Sequence, residues 1–343
     1  MPEHRSSPYS ALKAFKYPDR IESIKSGNKS GPVHVQIILS DLCNQSCHFC
    51  AYRDPTYTSS KLFHVDGNYN PNRKLPFEKV MEILDDCKEL GVKAIQFTGG
   101  GEPTVHPNFN EIVAETAARG FKWGLVTNGV RPKQLDTATW VRVSLDASTP
   151  ETYSKIRRVD PYHFHKACET IERWQTGVGF VVTPENWHEV YDAALLAKYL
   201  GAKNIRIGAQ FSEQGEDLFE GFRANVVSLI KATEELSDVG FKVINKFSEK
   251  MEDLHLGKPD YKRCGYQYLT TYIGADQNLY RCCVYAYNPR GLIGTIKDRR
   301  FKDVWLENDF SGFDARGCDR CQFNNINRNI NEVVEFDESE SFV

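Results

Sequence analysis

Residues 33–50 read VHVQIILSDLCNQSCHFC. The first seven, Val33–Leu39, are apolar and β-branched enough for a buried strand, which stops at Ser40-Asp41 where turn-forming side chains take over. Three cysteines follow at once: Cys43, Cys47 and Cys50. The loop therefore leaves the C-terminal end of a strand, the end at which parallel α/β folds carry their chemistry.

Working outward, a helix is expected from Pro76, because Val80, Ile83, Leu84, Cys87 and Leu90 recur at helical spacing and Gly91 supplies a stop. Strands are then expected at Ala94–Phe97, Trp123–Thr127, Val141–Leu145, Gly179–Val182 and Asn204–Ile207. Helical patterns separate them around 108–119, 150–155, 161–174, 186–200 and 216–239. Six β/α units argue for an α/β fold with a parallel sheet, either open and doubly wound or curled into a partial barrel, and periodicity leaves that choice open. Between the first strand and its helix, Arg53–Leu75 is rich in Asn, Pro, Gly, Ser and Tyr and reads as a surface excursion able to serve as a substrate lid.

Near residue 250 the texture changes: Tyr, Gly and Cys become frequent, and five of the ten cysteines fall between 264 and 321. The chain is thus expected to divide into a leader (1–30), a barrel-like core (31–245), a small cysteine-rich domain (246–330) and an acidic tail (331–343).

At 343 residues, with 41% hydrophobic and 26% charged residues, the composition excludes a disordered or low-complexity chain. The net charge of −3 implies no global electrostatic partner, so nucleic acid would need a local patch. No apolar run is long enough to cross a bilayer and the N-terminus has no apolar signal core, so a soluble cytoplasmic protein without a membrane partner is expected. In such a chain cysteines bind metal or do redox chemistry more often than they form disulfides.

Three thiolates cannot close the shell of a structural zinc ion or hold all the irons of a cubane, so one coordination position stays open. The alternative is a zinc loop completed by His48 or by a distant side chain. At the end of the second expected strand, Phe97-Thr98-Gly99-Gly100-Gly101-Glu102-Pro103 forms a turn where backbone can approach a small ligand and Glu102 can accept from an ammonium group.

A CxxxCxxC loop with an aromatic residue before its last cysteine, followed by a GGEP turn on the next strand, resembles the radical S-adenosylmethionine (SAM) superfamily over about residues 30 to 240. The resemblance implies a partial (β/α)6 TIM barrel in which Cys43, Cys47 and Cys50 hold a [4Fe–4S] cluster whose open iron is chelated by SAM. It also implies an electron donor of flavodoxin or ferredoxin type, reductive cleavage of SAM and a 5′-deoxyadenosyl radical that takes a hydrogen atom from the substrate. Gly100, Gly101 and Glu102 match the motif that binds the SAM amino group, and Phe49 would lie near the adenine. Asn128, Ser144 and Asp146, at later strand ends, match positions that contact the SAM carboxylate and ribose. Simpler roles compete: a turn for Asn128, helix capping for Ser144 and Asp146, and a capping box of Ser148 with Glu151.

Downstream, Cys264, Cys282, Cys283 and the pair Cys318 and Cys321 offer a four-thiolate shell, and zinc would satisfy the same spacing. The stretch from YIGADQNLYRCC to CDRC resembles the SPASM/twitch extension of radical SAM enzymes and implies a second, auxiliary [4Fe–4S] cluster on Cys264, Cys282, Cys318 and Cys321. The full SPASM pattern wants another cysteine near Asn327, so the shorter twitch form matches better. Gln277 stands where that pattern has glycine, leaving Cys282 favoured over Cys283. Cys87 and Cys168 read as core thiols.

Residues 261–330 carry eleven Lys/Arg and seven Asp/Glu, a hint of an anionic partner matched by a mixed solvated surface as the plain alternative. The stretches around AYRDPTYTSSKLF and GVKAIQFTGGGEPTVHP resemble radical SAM proteins of phage DNA-hypermodification clusters. That resemblance implies isomerisation of a glycine-modified thymidine from its nitrogen-linked to its carbon-linked form. A peptide maturase or small-molecule dehydrogenase of the SPASM/twitch type is the second reading, and a non-enzymatic zinc protein that binds nucleic acid the third.

Overall fold

The computed structural model describes residues 10–52, 72–131, 133–212 and 214–335. Residues 53–71 of the expected lid lie outside the described residues. Seven strands follow in the order of the chain: β1 (His34–Ile38), β2 (Ala94–Thr98), β3 (Lys122–Thr127), β4 (Trp140–Ser144), β5 (Gly177–Val182), β6 (Asn204–Ala209) and β7 (Lys242–Asn245). All pair in parallel with their neighbours. The six expected strands are β1–β6. The seventh, KVIN, is a four-residue edge strand with no fully buried position, too short and too exposed to show a pattern.

Side-chain alternation settles the shape of the sheet. Val35, Ile37, Ile95, Phe97, Trp123, Leu125, Val141, Val143, Val178, Phe180, Ile205 and Ile207 are buried. They form two cores with the helices Phe77–Glu89, Phe109–Ala118, Tyr162–Trp174, Val190–Tyr199 and Arg223–Glu234. The alternate positions include Gln36, Gln96, Gly124, Arg142, Ser144, Gly179 and Arg206, with Ile38, Val126 and Val181 the apolar exceptions. A doubly wound sheet buries both faces and needs continuous apolar strands. A sheet with one apolar, helix-covered face and one polar face fits the partial barrel.

The cysteine-rich segment extends this sheet instead of standing apart. Strand β8 (Thr270–Ile273) pairs in parallel with β1, and β9 (Asn278–Tyr280) and β10 (Leu292–Thr295) continue it antiparallel to the edge. Phe301, Val304, Trp305 and Phe310 lie in the same core as β1–β3 and the helix Phe77–Glu89. Buried Asp86 on that helix accepts two hydrogen bonds on Oδ1, from Arg300 Nε (3.0 Å) and Nη2 (2.5 Å). Trp305 Nε1 donates to Ser30 O at 2.8 Å.

The two chain ends also pack together. Ile21 and Ile24, on the helix Pro18–Ser26, share a cluster with Ile330 and Val334 of the helix Asn324–Val334. The leader is therefore folded from Ala11 onward, and helix continues through residue 331 to Val334, inside the stretch expected to be tail. Among the described residues no helix is long and apolar enough to cross a membrane.

Candidate functional site at the strand ends

The chain from Ser40 through the Cys43–Cys50 loop is laced to five other segments. Asp41 N donates to Arg73 O (3.0 Å), and the Asp41 carboxylate, fully buried, accepts from Arg73 Nε (2.7 Å) and from Tyr287 Oη (2.5 Å). Burial raises the Asp41 pKa to about 6, against the pull of Arg73. Gly101 N donates to Ser40 O and Glu102 N to Leu42 O, both at 2.9 Å. Asn128 Nδ2 donates to Asn44 Oδ1 at 2.6 Å. Ser46 N and His48 N donate to Arg157 O and Ile156 O, each at 3.1 Å. The ends of β1, β2, β3 and the helix after β4 thus converge on one loop. Cys43, Cys47 and Cys50 are all half-buried there, without a disulfide.

His48, the alternative fourth zinc ligand, has its Nδ1 at 3.0 Å from Ile156 O and its Nε2 at 3.1 Å from Glu185 Oε2. Both ring nitrogens are engaged away from the thiols. Phe49 stands edge-on to His48 and packs against the β4–β6 core.

The glycine turn is shaped by this lacing. A Cβ on Gly101 would lie 2.1 Å from Leu42 O, and one on Gly100 would lie 2.9 Å from Asp41 Oδ1 and 3.1 Å from Ile38 Cγ2. The glycines are needed for the turn to reach the cysteine loop at all. Glu102 turns inward. Its Oε1 accepts from Thr104 N (3.1 Å), Thr104 Oγ1 (2.7 Å) and Thr127 Oγ1 (2.6 Å), and its Oε2 accepts from Asn128 N (2.8 Å). Burial raises its pKa despite these donors. The expected ammonium acceptor is therefore largely committed within the chain, where it clamps the turn to the end of β3. Asn128 is part of the same clamp, and its Oδ1 also accepts from Val130 N (3.1 Å), the turn role weighed above.

At the end of β4, Ser144 is half-buried and Asp146 is buried with φ +58°. Asp146 Oδ1 accepts from Val181 N (2.6 Å), and its Oδ2 pairs with Arg157 Nη2. Neither residue caps the next helix. Thr149 does, accepting from Thr152 N, while Ser148 donates to Glu189 and forms no box with Glu151. Burial raises the Asp146 pKa, with Arg157 opposing it.

Arg157 escaped the sequence reading. Its Nη1 donates to Gln45 Oε1 (2.6 Å) and reaches Cys47 Sγ at 3.7 Å, and its Nη2 donates to Ser144 O (2.8 Å). Burial works against its charge, but Tyr153, Cys47 and Asp146 more than offset this and raise its pKa. A buried guanidinium beside a thiol is an environment that favours thiolate and an anionic cluster. The only sequence signal was a basic pair, Arg157-Arg158, closing a short helix.

Cys264, Cys282, Cys318 and Cys321 line one apolar cavity together with Tyr261, Tyr266 and Phe323. Cys283 turns away into a cluster with Ile38 and Tyr272, and its Sγ accepts from Gln322 Nε2 at 2.5 Å. Burial, then the charge of Cys321, pushes Cys264 up to about 12, and the same two causes push Cys318 up to about 12. Four thiolates so placed need a cationic partner, which is what a metal cluster supplies. Asn327, near the missing cysteine of the longer pattern, lines the cavity too; its Nδ2 donates to Tyr261 Oη (3.0 Å) and its Oδ1 accepts from Tyr266 N (2.8 Å). Among the described residues no three His, Cys, Asp or Glu side chains are gathered around a single-ion position.

Comparison with known proteins follows this geometry. The mycofactocin maturase MftC of Mycobacterium ulcerans is 26% identical over 309 residues, covering 84% of this chain and 78% of the relative. A S-adenosylmethionine-dependent nucleotide dehydratase of Flammeovirga pacifica is 26% identical over 183 residues, 49% of this chain and 60% of its own length, so the chain spans less than two-thirds of that relative. Streptococcus suis SuiB shares the fold in its SAM-bound structure (TM-score 0.64, 14% identity, 91% of this chain and 74% of that chain) and with precursor peptide SuiA (TM-score 0.62, 14% identity, 91% and 73%). The family model of the Radical SAM superfamily, whose members use a [4Fe–4S] cluster and SAM, matches residues 37–197. That stretch, just under half of the chain, holds both the cysteine loop and every strand end laced to it, and over it the chain is similar to the radical SAM superfamily.

Proposed function

We propose that this protein cleaves SAM reductively and abstracts a hydrogen atom from a peptide substrate, using a second, auxiliary cluster on Cys264, Cys282, Cys318 and Cys321. The observation that carries the reading is the convergence of five segments on the chain from Ser40 through the Cys43–Cys50 loop, with a distinct four-thiol cavity in the cysteine-rich segment. A three-thiolate cluster with SAM on its open iron supplies one-electron cleavage of the sulfonium and a 5′-deoxyadenosyl radical.

The chain's own residues position and shield. Cys43, Cys47 and Cys50 would hold the first cluster. Arg157 places positive charge beside Cys47, and the Glu102 clamp fixes the glycine turn whose backbone faces the loop. Ser144 stands at the end of β4 as the candidate polar contact for SAM, while Asp146 acts through Arg157 as a positioning residue. Tyr261, Tyr266 and Phe323 wall the auxiliary site.

MftC, matched over most of the chain, is named a maturase, and SuiB shares the fold with a precursor peptide bound, which supports a peptide substrate. Isomerisation of a glycine-modified thymidine in DNA has no such support among the relatives named, and peptide maturation takes its place as the leading reading.

The test is anaerobic reconstitution followed by SAM and dithionite. About eight irons per chain and formation of 5′-deoxyadenosine and methionine are expected. A fully iron-loaded protein that forms no 5′-deoxyadenosine would overturn the radical reading, and about four irons per chain would remove the auxiliary cluster.

A further inference from the structure

The helix Asn324–Val334 buries a stripe of amides, because Asn324, Asn327 and Asn331 fall on one face at helical spacing and all three are buried. A buried amide is costly unless it is bonded, so its partners show what it is for. Asn331 ties the helix down, its Nδ2 donating to Arg263 O at 3.1 Å. The other two converge on one cysteine of the auxiliary site.

Neighbouring groups force the orientation of each amide. Asn324 Nδ2 lies 3.0 Å from Asp253 Oδ1 and 2.9 Å from Cys321 O, two acceptors that need an N–H, so Asn324 Oδ1 faces Tyr261 Oη at 2.9 Å. Asn327 Oδ1 accepts from Tyr266 N at 2.8 Å, which turns its Nδ2 toward Tyr261 Oη (3.0 Å) and Cys321 Sγ (3.7 Å). Since Asn327 already donates to the phenol oxygen, the single Tyr261 proton has two places to go: Asn324 Oδ1, or Cys321 Sγ at 3.3 Å. Phe323, whose ring stacks on Tyr266 with centroids 3.9 Å apart, donates its backbone N–H to the same sulfur at 3.3 Å. An amide, a phenol and a backbone N–H thus face one sulfur. The carboxylate in this network, Asp253, is balanced by Lys250 Nζ at 3.0 Å.

Asn327 stands near the place where the longer resembling pattern has a cysteine, so a position suited to a ligand holds a donor instead. Donors aimed at a ligand sulfur stabilise the form of an iron–sulfur cluster that carries more negative charge, which is the reduced one, and so raise its potential.

We propose that Tyr261 and Asn327 are positioning residues that set the reduction potential of the auxiliary cluster through Cys321. The Tyr261 O–H turns from Asn324 Oδ1 to the sulfur when an electron is added. The electron comes from the external reductant, and no bond is made or broken, since the proton stays on the phenol. The inference rests on the auxiliary-cluster reading above.

The experiment is a potentiometric titration of the anaerobic, reconstituted full chain followed by electron paramagnetic resonance, with iron counted in every sample. Cys50→Ala is run in parallel to identify the signal of the second cluster. Tyr261→Phe removes the hydroxyl and keeps the ring. Asn327→Asp keeps an acceptor for Tyr266 N and removes both side-chain N–H groups. Each is expected to retain wild-type iron and to lower the ratio of reduced to oxidised auxiliary cluster at fixed potential at least threefold, about 28 mV at 59 mV per tenfold for one electron. The exposed Tyr199→Phe should leave that ratio in place.

The sign separates tuning from mere loosening. A substitution that only admits water stabilises the more charged, reduced form and moves the potential up. Whichever variant retains its iron decides: a ratio that stays within threefold of wild type, or a potential that rises, overturns the proposal. Iron in the wild-type chain distinguishes the two ideas. About four irons removes the auxiliary cluster and this proposal with it, whereas about eight irons with an unmoved potential sinks only the tuning.

Discussion

The two cysteine sites differ in what surrounds them. Cys43, Cys47 and Cys50 sit half-buried on a loop tied by polar side chains and backbone amides from five segments, with a buried guanidinium at Cys47. Cys264, Cys282, Cys318 and Cys321 face a cavity walled by Tyr261, Tyr266 and Phe323, with Arg281 and Arg320 also in its lining. The first keeps three donors and polar neighbours, the setting for a ligand that must bind, react and leave. The second offers a full set of four donors, the setting for a group that stays. The difference teaches that the same ligand atom suits an exchangeable or a resident group according to how many donors surround it.

The sharpest break in that comparison is a pair of substitutions. Cys50→Ala is expected to reduce SAM cleavage to background and remove about four irons per chain, because the open cluster has no spare thiolate. Cys321→Ala should leave some uncoupled 5′-deoxyadenosine formation while product formation is lost. Retained turnover in the first variant would contradict the division of labour. Next in size, Glu102→Gln puts an amide where four donors converge, at a cost of roughly 1–3 kcal/mol through a mispaired buried donor. Because the carboxylate acts through the position of the turn, KM for SAM should rise more than kcat falls, with iron content unchanged. A fall in kcat alone would give Glu102 a different role.

A third substitution examines how the second site is anchored. Arg300→Leu leaves the Asp86 carboxylate buried without its charge partner, and removing one member of such a pair costs about 3–5 kcal/mol when both are buried. Arg300 is itself partly exposed, so a value near the lower end is expected, read as a shift in the anaerobic urea midpoint with SAM binding intact. If the loss is confined to the auxiliary cluster, the cysteine-rich segment unfolds by itself; if the whole transition moves, the shared core is one cooperative unit.

Much of the fold was legible because the strands announce themselves twice, by apolar runs and by alternation. WVRVS and NIRIGA place polar residues between buried ones, but periodicity alone left the choice between a barrel and a doubly wound sheet open, and it took the burial of one face under the helices to decide it. The cysteine loop and the glycine turn were legible as motifs. The limits are physical too. Glu102 and Asp146 were assigned by type and position, but burial beside Thr104, Thr127 and Arg157 turned their carboxylates inward, and no local pattern encodes which donors a distant strand will bring. Arg157 and Arg73 reach the loop from other parts of the chain through contacts of high sequence separation. The cysteine-rich segment looked separate because its texture changes, yet Trp305 and β8 bury it in the barrel's own core and sheet.

The smallest effect concerns a turn. Gln277 adopts φ +61° between β8 and β9, five residues before Cys282, where the resembling pattern has glycine. Its backbone N donates to Gly274 O, and its carbonyl accepts from Ile296 N at 2.8 Å. The left-handed conformation is thus fixed by main-chain bonds and costs a side-chain-bearing residue on the order of 1 kcal/mol. Glycine relieves that strain but gains freedom in the unfolded chain worth about 0.4–1 kcal/mol, so Gln277→Gly should stabilise by no more than about 0.5 kcal/mol. The measurement is the denaturation midpoint, with iron content of the auxiliary site as control. At Gly101, where a Cβ meets Leu42 O at 2.1 Å, the reverse change to alanine should cost far more. The open site demands glycine because backbone approaches backbone there, whereas the closed site's hairpin only prefers it, since nothing but a dihedral angle is at stake. Should Gln277→Gly instead lower the midpoint, the glutamine side chain holds the hairpin that delivers Cys282, and the closed site is as tightly specified as the open one.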